Sequence, residues 1–380
     1  MKTDTSPDSR SGRLGVLNGK YPASYWLIAF SKDVRAGEAV PMRRLERDLV
    51  LWRDADGTLH CQDHACTQRL GRIGDRWSER DGVAVCENHA DAFDGAQEYL
   101  VKERYGGVFV WSGELPADHD LPDILGQMGL TEDDVKISYS RFMLPYPVKW
   151  LIENEPDMAH FAFLHNTGDW GDCWVTDETE SAMSVTGRIY GKRGLTPKEF
   201  ARLYRRDDLT DIIEFSGDVV FEVYGSGISN LWVEPPDVDA PRFSLTGPIG
   251  KAVQATRQIN GLAPVDVDTL LIMLITFTPR FDVPVIGGLL DGLVAAGARA
   301  RGWVAIRQDY PVMVHRDEPE GPRYNRLDRA LVAYRKFWDR RLPDRTLEAG
   351  DNLHSNGRRA GIKWTHRHVG AEHTDVEAPV

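Results

Sequence analysis

Thr269-Leu270-Leu271-Ile272-Met273-Leu274-Ile275-Thr276-Phe277 is a nearly unbroken apolar run, and it constrains the fold more than any other segment. As a strand it would be buried on both faces. Strand-like patterns at 183–190, 219–224 and 227–233 precede it, and helical stretches at 289–300 and 324–340 follow. Strands followed by long helices predict an α+β architecture, an antiparallel sheet with helices packed on one face.

The first third of the chain reads differently. Short strands at 24–30, 49–52, 58–61, 83–86 and 107–111 are punctuated by Gly, Asp and Asn, as in the turn Asp54-Ala55-Asp56-Gly57. Such spacing predicts a small antiparallel β domain, and it holds three of the four cysteines, Cys61, Cys66 and Cys86. An acidic, Pro-punctuated stretch at 114–135 suits a crossing between domains. The expected organisation is a polar arm over 1–20, the β domain with its crossing over 21–135, a larger domain over 136–345, and a polar tail over 346–380. That tail holds His354, His366, His368 and His373 and reads as solvated chain.

With 380 residues, 42% of them hydrophobic, the chain can build two cores. Neither a secretory leader nor a membrane span is visible, so a cytoplasmic protein without a membrane partner is expected. A net charge of -12 excludes a nucleic-acid binder that would need a basic face. Four cysteines in such a chain form no disulfide framework. Any pair at patterned spacing is better read as metal ligands.

Chemistry concentrates in Glu153-Asn154-Glu155-Pro156-Asp157-Met158-Ala159-His160-Phe161-Ala162-Phe163-Leu164-His165. Asn154 can cap a helix and Pro156 suits its first turn, which predicts a helix starting here. Asp157 and His160 then share a face. His165 lies five residues after His160, about 140° round an ideal helix, so both reach one metal only where the helix kinks, bulges or ends. Two imidazoles and a carboxylate on one side of a metal leave positions open and suit non-haem Fe(II) that must bind O2. The spacing Asp157, His160, His165 resembles the mononuclear iron motif of Rieske non-haem iron oxygenases.

A second motif supports that resemblance. Cys66-Thr67-Gln68-Arg69 is followed by Cys86-Glu87-Asn88-His89, close to the Cys-x-His and Cys-x2-His pattern in which two thiolates hold one iron of a [2Fe–2S] cluster and two imidazoles the other. Over roughly residues 22–340 the chain resembles the α (terminal oxygenase) subunit of that family. It departs where the family has its first histidine ligand, because Gln68 stands there. Leu70 and Ala90-Asp91 replace common glycine and Gly-Trp positions. Gln68 could ligate through its amide oxygen, His64 could take its place, or the site could hold another metal or none.

The resemblance implies a small Rieske-like β domain beside a helix-grip catalytic domain. It implies Fe(II) held by His160, His165 and a late carboxylate, for which Asp309 in Gln308-Asp309-Tyr310-Pro311 is the choice and Asp266 and Asp268 the runners-up. It further implies Asp157 as the link from His89 of a neighbouring subunit to His160, with Asn154 beside the iron. Ferredoxin or a flavin reductase would carry electrons from NAD(P)H, and the subunits would form a head-to-tail homotrimer. The expected reaction is O2-dependent hydroxylation or dealkylation of a mid-sized apolar or aromatic molecule. The pocket lining is read as Phe161, Phe163, Trp170, Trp174, Tyr224, Asn230, Trp232, Met273 and Ile275. Two rival readings are a cluster-less, non-catalytic binding or partner subunit and a mononuclear-iron enzyme not fed by a cluster.

Overall fold

The computed structural model describes residues 14–17, 20–64, 77–80, 83–86, 97–157, 160, 164–165, 169–190, 216–234, 256–316, 324 and 328–343. Residues 1–345 form one compact unit, and 346–380, with the four tail histidines, form a second that lies outside the described residues.

Among the described residues the first third holds nine short strands: β1 (Tyr25–Phe30), β2 (Ala39–Arg44), β3 (Arg47–Arg53), β4 (Leu59–Asp63), β5 (Trp77–Arg80), β6 (Val83–Cys86), β7 (Glu98–Tyr99), β8 (Val101–Arg104) and β9 (Gly107–Trp111). They pair as three small antiparallel sheets ordered β1-β9-β8, β2-β3-β4-β7 and β5-β6. Trp26, Trp52 and Trp111 are sealed among them. The crossing at 114–135 is more ordered than its composition suggests, for it holds helix α1 (Ile124–Gln127), capped by the Asp123 carboxylate on Gly126 N.

β10 (Val135–Leu144) and helix α2 (Val148–Asn154) open the larger part. Then come β11 (Asp169–Glu178), β12 (Ala182–Tyr190), β13 (Ser216–Tyr224), β14 (Ile228–Glu234), β15 (Arg257–Asp266), β16 (Thr269–Pro279), α3 (Gly287–Val314) and α4 (Arg329–Arg340). Seven of these strands make one antiparallel sheet in the order β10-β16-β15-β14-β13-β12-β11. β16, the apolar run, is paired on both edges and buried from Leu270 to Phe277. The architecture is α+β, small antiparallel sheets plus a larger sheet with packed helices.

Alternation assigns the two faces of the large sheet. Leu274 approaches Gly302 of α3, Phe142 stacks on Trp303 and Phe221 meets Tyr334 of α4, so these side chains mark the helix face. The opposite face meets the first third of the chain. A Cβ on Gly261 would lie 2.3 Å from Leu27 Cβ, and one on Gly107 would lie 2.8 Å from Ile275 Cδ1. At Gly261 a side chain would collide with Leu27 from its Cβ outward, whereas at Gly107 the neighbours are side-chain ends. One continuous core runs through both parts. Truncating a sealed member such as Leu27 or Ile275 to Ala would cost about 2–5 kcal/mol.

Candidate metal centre

Helix α2 ends where the sequence predicted a helix to begin. Pro147 precedes it and Val148, Leu151 and Ile152 bury its inner face. Glu155 N still donates to Leu151 O at 3.3 Å, but Pro156 has no N–H to offer Ile152, so the ladder stops there. Asn154 is therefore the last helical residue and not an N-cap. The backbone then tightens, with Asp157 N donating to Asn154 O (3.2 Å) and His160 N to Asp157 O (3.3 Å). A helical position recurs at Leu164, and His165 sits on the bend after it. This break lets two residues five apart face one point.

The rings of His160 and His165 lie 5.0 Å apart at 73°. Both Nε2 atoms address one carboxylate oxygen, Asp309 Oδ1, at 3.9 and 3.3 Å respectively. Asp309 projects from within α3, on the side where Ile306 and Met313 are also buried. It is thus an interior helical residue. The ligand atoms of His160, His165 and Asp309 all lie within 4.8 Å of one another.

Each Nδ1 is engaged on the far side. His165 Nδ1 is 2.9 Å from Gln308 Oε1, and His160 Nδ1 bonds the main-chain carbonyl of Asp157. With Nδ1–H donating outward, each Nε2 presents its lone pair to the centre, the tautomer a metal ligand needs. Burial depresses His160 to about 4, against which Asp309 acts in the opposite direction, so this imidazole is neutral at pH 7. Burial also depresses His165, but Asp309 and Gln308 outweigh it and raise that group. Asp309 Oδ1 is buried and makes no well-formed hydrogen bond. Two neutral-capable nitrogens and an orphaned carboxylate oxygen fit a divalent first-row metal ion.

Around this triad, Asn154 Nδ2 stands 3.3 Å from His160 Nε2. Sequence reasoning missed the roles of two glutamates and an amide. Glu153, 2% exposed, accepts from Arg316 and Arg335, tying the end of α2 to the segment after α3 and to α4. Its pKa falls below the ordinary value although burial acts to raise it, because the two guanidiniums prevail. Glu155 accepts from Asn260 Nδ2 at 2.7 Å, while its Oε2 makes no well-formed hydrogen bond. Burial pushes Glu155 up to about 7, aided by Asp309 and opposed by Ser229 and Asn260. A polar Asn260 inside the buried stretch Ile259–Ala263 was the available signal.

Other predicted residues fall elsewhere. Asp266 pairs with Arg43 at 3.2 Å, so this runner-up is engaged away from the triad. Strand parity puts Tyr224, Asn230, Trp232, Met273 and Ile275 on the face toward the first third of the chain, opposite the helices. Trp232 packs under Arg257, and Tyr224 bonds Glu222 and Gln127. The helix face instead carries Ser229, Asn260, Leu262, Leu274 and Thr276, one residue out of step with the predicted lining. Trp174 is 38% exposed on β11. Phe161, Phe163 and the Trp170 side chain lie outside the described residues, as do Cys66, Gln68, His89 and the Cys86 side chain. Cys86 closes β6 opposite Trp77. His64, at the end of β4, is buried and its main-chain N–H reaches Asp48 O.

Residues 24–104 match the Rieske [2Fe–2S] domain. The structure superposes on dicamba monooxygenase bound to 3,6-dichlorosalicylic acid with a TM-score of 0.56 and 13% identity, covering 84% of this chain and 97% of that one. It also superposes on the terminal oxygenase of carbazole 1,9a-dioxygenase from Nocardioides aromaticivorans IC177, TM-score 0.55 and 15% identity, covering 85% and 96%. The chain has the fold of a Rieske non-haem iron oxygenase α subunit. Among curated proteins, chlorophyllide a oxygenase of Oryza sativa subsp. japonica is 25% identical over 198 residues, 48% of this chain and 35% of the relative. The match thus spans about a third of that relative's length. Other solved neighbours include a fluorene-bound oxygenase of carbazole 1,9a-dioxygenase in complex with ferredoxin, TM-score 0.51, 15% identity, covering 85% of this chain and 90% of that one.

Proposed function

We propose that this chain is the terminal oxygenase of a Rieske-type system that oxidises a mid-sized apolar or aromatic molecule with O2. The observation that carries the reading is the convergence of His160, His165 and Asp309 on one point with a single unsatisfied carboxylate oxygen. These three residues would hold Fe(II). Iron bound there would supply open positions for O2 activation, and a [2Fe–2S] group on Cys66, Cys86, His89 and Gln68 or His64 would supply electrons.

The chain's own residues set the conditions. Gln308 and the Asp157 carbonyl fix the two imidazole tautomers. The paired Glu153 anchors α2, and with it the turn carrying His160, against α4. Leu262 and Leu274 line the helix face and exclude water. Asp157 is assigned as the link toward a neighbour's cluster, which requires a head-to-tail trimer with 21–135 as cluster lobe and 136–345 as catalytic lobe. A ferredoxin fed from NAD(P)H is the assigned electron donor, since an oxygenase neighbour is seen with ferredoxin. Both a monooxygenase and the oxygenase of a dioxygenase share the fold, so the monooxygenase assignment is part of the proposal.

Metal and sulfide analysis of anaerobically purified protein tests this. Three irons and two sulfides per chain are expected, one iron being lost on Asp309→Ala with sulfide unchanged. One iron without sulfide would favour an enzyme not fed by a cluster, and no iron would favour a binding subunit. Because Gln68 departs from the family's histidine, Gln68→His should sharpen the absorption and EPR signals of the cluster.

A further inference from the structure

Helix α3 carries an arginine where its neighbours on the same flank are covered. Gly302 sits directly over the sheet, since a Cβ there would lie 3.2 Å from Leu274 Cδ1 and 3.3 Å from Gln258 Oε1. Trp303, about 100° further round, leans toward the edge strand β10, where it stacks on Phe142. Arg301 is turned by the same angle the other way, so it leads toward β14 and the middle of the sheet. On that flank of α3, Val294 two turns earlier is buried, and Gln308 two turns later is half-buried and holds His165. Arg301 between them is exposed. An exposed side chain on a covered flank projects into open space between helix and sheet.

The charge there is unanswered. Burial by the surrounding protein lowers the pKa of the guanidinium, and among the described residues no carboxylate acts against it. No hydrogen bond or ion pair ties Arg301 to any described residue. A guanidinium stays charged at any working pH, and one enclosed without an anion leaves its fork of donors unmatched. The neighbouring polar groups, by contrast, satisfy one another. Thr276 Oγ1 donates to Gln258 Oε1 (3.4 Å), Gln258 Nε2 to Asn260 Oδ1 (2.7 Å) and Asn260 Nδ2 to Glu155 Oε1 (2.7 Å). This row runs across the helix face of β16 and β15, from beneath Gly302 to the carboxyl beside the metal triad. Arg301 and Gln308 share a flank of α3 two turns apart, about 10 Å along the axis, which is room for a one- or two-ring molecule.

We propose that Arg301 receives a carboxylate of the substrate, so that the molecule oxidised at His160, His165 and Asp309 is an aromatic or apolar organic acid. A planar guanidinium meets a carboxylate through two parallel hydrogen bonds, which fixes the acid's direction as well as its charge. Held at that end, the apolar remainder lies along α3 toward the triad, and few further polar groups are needed to orient it. The inference rests on the oxygenase reading for the fate of the bound acid, though not for the binding itself.

Calorimetric titration of the full chain tests it, with benzoate, phenylacetate and naphthoate beside benzamide, phenylacetamide and naphthamide as their neutral counterparts. At least one acid should bind, and its amide at least tenfold more weakly. Arg301→Gln should weaken the acid at least tenfold and the amide less than twofold, with circular dichroism and iron content unchanged. Arg301→Lys keeps the charge without the fork and should fall between. Arg307→Gln, at an exposed arginine on the outer side of the same helix, should change neither. An acid and its amide that bind alike, an Arg301→Gln variant that keeps the acid's affinity, or a panel in which no acid binds overturns the proposal. Loss of acid and amide together in Arg301→Gln would mark a structural residue and overturns it too. Binding needs no turnover, so the two readings fail separably. Iron and sulfide at the expected content with no acid bound sinks this inference alone, whereas an Arg301-dependent acid site in a chain without iron sinks the oxygenase reading.

Discussion

Glu153 and Glu155 leave the same turn of α2, both are buried, and they occupy opposite electrostatic worlds. Two guanidiniums grip Glu153 and outweigh its burial, so it stays ionised and its pKa falls. Burial, with the negative field of Asp309, favours the neutral form of Glu155 against the bonds from Ser229 and Asn260, and its pKa climbs to about 7. Identical side chains thus take different jobs according to which helix or strand they face. The first is a charged strut between elements; the second is a protonatable group beside the metal triad.

The largest expected effect breaks the strut. Glu153→Ala leaves Arg316 and Arg335 without their shared partner. Losing one member of a buried pair costs about 3–5 kcal/mol, but the two arginines are 22% and 26% exposed and water will reach them. A loss of about 2–3 kcal/mol in denaturant midpoints is expected. Equal stability of the variant would show that α2 is held by packing alone.

Next comes pH, where the two acids pull in opposite directions. Glu153, with its lowered folded pKa, adds stability above the unfolded value of 4.5, and that stability is lost as pH falls through the folded pKa. Glu155 has a folded pKa of about 7 against 4.5 unfolded, so the native state binds the extra proton between them. Its contribution is most favourable below pH 4.5 and declines as pH rises to about 7, by about 2–3 kcal/mol. In chelator-stripped protein, Glu155→Gln should flatten that decline and match or exceed wild-type stability at pH 8. An unchanged slope would mean Glu155 is ionised when buried.

A third effect is confined to the triad. Gln308→Ala frees His165 Nδ1, and loss of such an outer partner typically weakens metal affinity tenfold to a hundredfold. Competition with a chromogenic chelator would measure it. Affinity within a factor of two of wild type would show that the ring is held by its other neighbours.

Much of this was legible in the sequence, and the failures share a cause. The apolar run 269–277, the short early strands and the two histidines with a late acid announce themselves through local composition. Asn154 did not: as a capping residue beside Pro156 it reads as a helix start, and only the buried Val148, Leu151 and Ile152 upstream show that a helix was already under way. Met273, Asn230 and Tyr224 were assigned to the pocket because they are large or polar in strands, but parity decides which face they serve. Parity depends on knowing which face the helices cover. Glu153 and Glu155 look alike in the sequence because their partners lie 105 to 182 residues away.

The smallest effect sharpens the contrast from the strand side. Asn260 donates to Glu155 Oε1 at 2.7 Å, and it faces Ser229 across the β14–β15 ladder. Asn260→Ala removes a bond that favours the charged form, so the carboxyl should titrate higher than in wild type, at a stability cost of about 1 kcal/mol near neutral pH. The infrared band of a protonated carboxylic acid, identified by its loss in Glu155→Gln, reports this directly. The band should persist to higher pH in Asn260→Ala, while Glu153, held by Arg316 and Arg335, should titrate as before. A band that disappears at the same pH in both proteins would show that burial and Asp309, not the amide, set the charge of Glu155.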